Sequence, residues 1–314
     1  MKASRILLAT VPFVGLAASV ALLVWIIDVE QTVRAIGAAN PWWLAAAAGV
    51  ALVQLGMAGV RLWSLLHTAG LGATFRRSLS AVLAATTLNA ILPGRGGDLA
   101  KAAFVAEDRA QVRPLIGVML VERGVDVLML ALISCVGAAA VARWRLCGVA
   151  GLIAVAAAAG LIGLGLTHTR IRLPLVRQDV GQAAHRLLAR PGRIALALLL
   201  SLVFWATNVG LFACLLRAVD AGVSLGQTAS AAPLSLLTGA LPISINGIGT
   251  RDAALVSLLR AYAAEPVVLA ASVLYTIIGN WMLAAIGVVS LGKQTLRATR
   301  AAALHAADSS TTQA

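Results

Sequence analysis

Leu88-Asn-Ala-Ile-Leu-Pro-Gly-Arg-Gly-Gly-Asp-Leu-Ala-Lys-Ala-Ala-Phe-Val105 stands between long apolar runs, and its reading decides the fold. It carries Pro93, Gly94, Gly96 and Gly97 together with the charged residues Arg95, Asp98 and Lys101. Proline has no amide hydrogen with which to continue a helix, and glycine loosens the backbone further. Charge is costly in hydrocarbon, and irregular backbone is tolerated there only inside protein or along a water-filled cavity. The stretch therefore reads as the break in a re-entrant helical hairpin, residues 78–105, that lines a cavity. An ordinary cytoplasmic loop is the alternative.

A second stretch echoes the first. Leu237-Thr-Gly-Ala-Leu-Pro-Ile-Ser-Ile-Asn-Gly-Ile-Gly-Thr-Arg-Asp-Ala-Ala254 repeats the order of small residues, Leu-Pro, Gly-x-Gly, an acid and a short apolar run. Pro242 answers Pro93, Gly247 and Gly249 answer Gly94 and Gly96, and Asp252 answers Asp98, with short gaps. Paired broken segments in two halves of a membrane protein point to a transporter's binding site.

Around these breaks the chain is apolar. Sixty per cent of the 314 residues are hydrophobic and only 12% are charged, about half the share in soluble proteins. An all-α polytopic membrane protein follows, with no polar segment long enough for a soluble catalytic domain. The net charge of +13 lies in short loops, which speaks for topology and against nucleic-acid binding. Cys135, Cys147 and Cys214 all fall inside apolar runs and read as small core residues, with neither a metal site nor a disulfide framework.

In chain order, about six full spans are expected: Ile6 to Ile27, Pro41 to Leu66, Pro114 to Ala142, Leu146 to Leu166, Ile194 to Leu216 and Glu265 to Leu291. Hairpins over 78–105 and 228–262 complete the set. Trp42 and Trp43 are placed as interfacial anchors. Arg61 lies about one turn from the end of its span, where it either snorkels to the interface or enters a cavity. Glu122 and Asp126 share a helix face, and Arg123 neighbours Asp126 at i, i+3. Three charges at that depth should face inward and pair, either lining a site or only holding helices together. The arginine-rich stretch from Thr167 to Arg193 reads as a surface helix on an anionic leaflet or as a solvated connector.

Charge orients the whole. With the N-terminus in the cytoplasm and both hairpins re-entering, fifteen basic residues fall in cytoplasmic loops and tails and four in outer loops. That satisfies the positive-inside rule. Each half then reads as span, span, hairpin, span, in opposite orientations: residues 1–145, an inverted second repeat over 146–292, and a polar cytoplasmic tail over 293–314.

Gly59-Val-Arg-Leu-Trp63, Asn89-Ala-Ile-Leu-Pro-Gly-Arg-Gly-Gly-Asp98, Val121-Glu-Arg-Gly-Val-Asp126 and Ile248-Gly-Thr-Arg-Asp252 occur in one order along the chain. Together they resemble the lysylphosphatidylglycerol synthase transmembrane family, also called the flippase-like domain family, over about residues 5–295. The resemblance implies a part in moving lipids with modified head groups between leaflets of a bacterial plasma (inner) membrane. The family's pattern carries glutamate where Asp98 and Asp252 stand, so the reach to a head group is one methylene shorter here. Its best-known members add a soluble aminoacyltransferase domain. The sequence leaves no room for one after the last span, so lysyl transfer is not expected of it.

The leading expectation is a lipid flippase or translocase, not an enzyme, acting on an amphiphile with a polar, anionic head group. Arg95, Lys101 and Arg251 would meet a phosphate, the arginines bidentately. Helix starts after Gly97 and Gly249 would add amide donors. Asp98, Asp252, Glu122 and Asp126 would balance those cations or couple movement to protons; Asp98 and Asp252 would equally serve as helix caps. With Arg61, Arg123, Asn89, Asn246, Pro93 and Gly94 these make up the candidate substrate-binding set. Two other classes stay open: a non-transporting scaffold that partners a lipid-modifying enzyme, and an integral-membrane head-group transferase turning over on Asp98 or Glu122. No catalytic set, metal ligand cluster or cofactor is expected, and the small-residue spans would permit a homodimer.

Overall fold

A computed structural model describes residues 28–90, 97–106, 111–166, 185–187, 191–241, 244 and 246–290. The expected first span, Pro93, Gly94 and Arg95, most of the basic connector and the polar tail lie outside the described residues. Every regular element among the described residues is helical.

The described residues open with α1 (Val29–Gly37), capped by the Asp28 carboxylate, which accepts the Gln31 amide N–H at 3.0 Å. The long α2 (Pro41–Thr68) begins with proline in its first turn, where the missing N–H costs nothing, and Asn40 Oδ1 accepts from the Trp42 amide at 2.9 Å. Then come α3 (Phe75–Asn89), α4 (Gly97–Val105), α5 (Val112–Ala140), α6 (Trp144–Leu166), α7 (Pro191–Ala218), α8 (Leu225–Gly239) and α9 (Thr250–Leu259). The last, α10, is Glu265–Ser290 and turns π-helical over Thr276–Met282.

Among the described residues four helices are long and apolar enough to cross a membrane: Pro41–Thr68, Trp144–Gly165, Ile194–Ala218 and Glu265–Ser290. At 1.5 Å per residue, the 28 residues of α2 span about 42 Å, against a hydrocarbon core of about 30 Å. Their outer faces present Leu152, Val155, Leu199 and Val288, all more than half exposed, as lipid would require. The 29-residue α5 is as long, but buries Glu122 and Asp126. The all-helical polytopic architecture read from the sequence is therefore present.

Two stretches of the described residues match in length and spacing. Pro191 stands 150 positions after Pro41, α2 and α7 both have 28 residues, and α3 and α8 both have 15. The turns between them repeat bond for bond. Leu71 N–H reaches Leu66 O at 2.9 Å and Ala221 N–H reaches Leu216 O at 2.9 Å. Gly70 (φ 74°) and Asp220 (φ 53°) both take the left-handed conformation that closes a helix end. Thr74 then caps α3 through the Arg77 amide, and Ser224 with Gln227 forms a reciprocal capping box on α8.

The two stretches expected as hairpins each hold a pair of short helices among the described residues, α3 with α4 and α8 with α9. With 15 residues, α3 and α8 each reach about 22 Å, too short to cross alone. In the second break Asn246, Gly247 and Gly249 all have positive φ, which reverses the chain before α9. In the first pair Gly97 is forced by proximity: a Cβ there would lie 2.5 Å from the Ala85 carbonyl oxygen at the end of α3. The helices pack α5 against α6, α2 against α7 and α8 against α5. The α5–α8 contact is close because Gly137 faces the Ala229–Ser230 backbone, and Ser134 Oγ donates to Ser230 O at 2.6 Å.

Candidate functional site: a ring of six charges beside an amide-lined cavity

Six buried or half-buried charges from three helices close into a ring of alternating sign. Arg61 of α2 meets Glu122 at 2.6 Å, and Glu122 meets Lys101 of α4 at 2.9 Å. Lys101 lies 3.6 Å from Asp98, and Asp98 lies 3.1 Å from Arg123. Arg123 lies 3.4 Å from Asp126, which returns to Arg61 at 2.5 Å. The three cations and three anions cancel. Burying so many charges is tolerable only because each has opposite neighbours.

The i, i+4 spacing puts Glu122 and Asp126 on one face of α5, so a single guanidinium from α2 spans both. Arg61 is 3% exposed and its guanidinium stacks on the Phe204 ring at 4.7 Å. It does not snorkel to the interface. Trp205 Nε1 donates to Asp126 Oδ1 at 2.8 Å, tying α7 to the same acid. Arg123, with a side chain 32% exposed, is the most open member of the ring.

A cavity of about 130 Å³ adjoins the ring. All six ring residues line it, with Gln54, Thr86, Asn89, Asn208, Asn246, Tyr275 and Asn280 among the others. Among the described residues four buried side-chain atoms lack a partner: Nε of Arg61 and Arg123, and Oδ1 of Asn89 and Asn208. A buried polar group left unmatched costs free energy, and all four residues border this one cavity.

The second motif is built differently. Arg251 is 1% exposed and lies outside the cavity lining. It donates to Asp252 Oδ1 at 2.5 Å and to Thr276 Oγ1 at 2.6 Å, and stacks on Tyr275 at 4.9 Å. Ser272 Oγ donates to the same Asp252 oxygen at 2.6 Å, while Asp252 Oδ2 accepts the Gly249 amide at 2.9 Å. The expected role of Arg251 as a phosphate ligand is therefore corrected: its guanidinium is enclosed by α10. Asp252 and Gly249 form a helix cap and likewise do not reach the cavity. Arg251 supports the site indirectly, through Tyr275, which stacks on Phe212 at 4.2 Å and accepts a bond from Asn208 Nδ2 at 3.2 Å.

Of the expected set, Arg61, Asn89, Asp98, Lys101, Glu122, Arg123, Asp126 and Asn246 thus meet at one cavity. Gly97 acts as the close-packing point described above. Sequence reasoning missed Gln54, Thr86, Asn208, Tyr275 and Asn280. Gln54, Asn208 and Asn280 did carry a signal: each is an amide inside an apolar run. Among the described residues no group of His, Cys, Asp and Glu is arranged to hold a metal ion.

Fold and site define a polytopic helical membrane protein with a polar, ion-paired cavity between its helices. The chain belongs to the family described as the lysylphosphatidylglycerol synthase TM region, which it matches over residues 13–287. The resemblance carried by the four motifs is borne out, and with it a membrane protein related to lipid handling. No curated protein matches the chain.

Proposed function

We propose that this protein is a lipid translocase, with the cavity beside the charged ring as the polar path for a head group while the acyl chains stay in lipid. The observation that carries the reading is the ring itself. Six charges gathered around a partly open cavity are a costly way to join three helices, since apolar packing of the same volume often does so at least as well. The charge balance refines the expected anionic head group. A phosphate would enter by displacing Asp98 or Asp126 from Arg123, the most open cation, so the bound state exchanges one ion pair for another.

The reading assigns no bond-breaking chemistry to the chain. It takes a membrane lipid as substrate in a bacterial inner membrane, with both termini cytoplasmic and the halves inverted. The 150-residue register of α2–α3 with α7–α8 supports the repeat, and the basic loops support the orientation. Cysteines placed at Arg77 and Gly226 should be labelled from opposite sides; labelling from one side would remove the inversion.

The test of transport is reconstitution into vesicles with a fluorescent short-chain phospholipid, quenched from outside. Wild type should expose inner-leaflet lipid faster than empty vesicles, and Arg123→Gln should abolish the gain while the protein still folds. Equal rates with and without wild-type protein would defeat the proposal. A second reading, a scaffold for a lipid-modifying enzyme, is favoured by the near-complete pairing of the ring. It predicts that Arg123→Gln leaves cellular function intact.

A further inference from the structure

The cavity has two unlike walls. All its charged residues come from α2, α4 and α5, whereas everything lining it from residue 204 onward is uncharged. That second wall presents Asn208, Asn246 and Asn280. Asn208 is 4% exposed and donates one of its two amide hydrogens to the Tyr275 hydroxyl at 3.2 Å, leaving Oδ1 buried without a donor. Asn246 reaches the cavity from a left-handed backbone position (φ 54°), and Asn280 from the π-helical turn of α10. A π-turn inserted in a long helix commonly marks a functional position.

Chemistry narrows what these atoms await. A buried carbonyl oxygen needs a donor. An ionised phosphate only accepts, and a quaternary ammonium has no N–H to give. A primary ammonium donates, but the three carboxylates that line the same cavity would draw it away. A hydroxyl both donates and accepts, as an amide does, so a group bearing several hydroxyls satisfies both ends of each amide. We infer that the amide wall binds the neutral, polyhydroxylated portion of a saccharide-bearing lipid head group. The inference rests on the lipid-handling reading of this cavity. At about 130 Å³ the cavity approaches the roughly 150 Å³ that holds a benzene ring, so one small ring fits and an extended oligosaccharide does not.

The experiment uses the whole chain in phosphatidylcholine nanodiscs doped with equal minor amounts of monoglucosyl diacylglycerol and phosphatidylglycerol of matched acyl chains. Native mass spectrometry then counts the lipids retained. Wild type should retain the glucosyl lipid several-fold over phosphatidylglycerol, and Asn208→Leu and Asn280→Leu should each bring that ratio back toward one. A wild-type ratio of one, or a preference that both substitutions leave unchanged, overturns the inference; the wild-type ratio decides even if a variant fails to fold. The vesicle assay separates the two claims. Glucosyl enrichment without translocation would sustain the amide wall and sink the translocase, whereas translocation without enrichment would do the reverse.

Discussion

Lys101 Nζ on α4 lies 2.9 and 3.0 Å from the two carboxylate oxygens of Glu122 on α5. The same carboxylate accepts from Arg61 of α2 at 2.6 Å, so one acid clasps three helices. Both Lys101 and Glu122 are under 5% exposed, and removing one partner strands a charge. Lys101→Met should destabilise the protein by about 3 kcal/mol. In a double-mutant cycle with Glu122→Gln, the two effects should fall short of additivity by at least about 1 kcal/mol. Equilibrium unfolding in mixed micelles measures both, and additive effects would contradict the clasp.

The two arginine environments predict opposite phenotypes. Arg123 is a third exposed and shared between two acids, so Arg123→Gln should cost only about 1 kcal/mol of stability while altering lipid handling. Arg251 is sealed against Asp252, Ser272, Thr276 and Tyr275. Arg251→Gln should cost about 3–5 kcal/mol and leave the class of co-purifying lipid unchanged in whatever folds. Thermal unfolding together with lipid analysis of the two variants would reveal an exchange of roles.

Close approach rather than backbone conformation makes two glycines essential. A Cβ on Gly97 would meet Ala85 O at 2.5 Å, and one on Gly287 would meet Thr87 Oγ1 at 2.3 Å and Leu83 O at 2.8 Å. Gly97→Ala and Gly287→Ala should each cost about 1–3 kcal/mol by pushing α4 and α10 off α3. Gly148→Ala, which meets nothing within 4 Å, should be neutral or slightly stabilising. Melting temperatures of the three variants check the ranking.

Cys135 and Cys147 sit with their sulfurs 3.2 Å apart, on α5 and α6, across a short turn. A disulfide needs about 2.05 Å, within reach of a small helix shift. Treatment with copper phenanthroline should therefore protect both thiols from maleimide, reversibly with dithiothreitol, while Cys214 stays labelled. Continued labelling of all three would show that α5 and α6 are held farther apart.

The helices, their ends and the two broken segments were legible because each depends on local chemistry. Asn40-Pro41 caps and starts a helix, proline and glycine interrupt one, and hydrophobic length measures a span. Glu122, Arg123 and Asp126 were recognisable as an inward-facing set because charge at that depth has few other options. The sequence by itself therefore determined an all-helical membrane protein and the family. Tertiary structure alone decided the partners. Arg61 finds its acids 61 and 65 positions away, and Arg251, similar on paper to Arg95 and Lys101, turns into α10 instead of the cavity. In a helix apolar on every side, periodicity cannot say which face meets which neighbour. Only the packing of α2, α4, α5, α7 and α10 brings Asn208, Tyr275 and Asn280 to the same cavity as the charged ring, and so makes one cavity of residues that the chain keeps far apart.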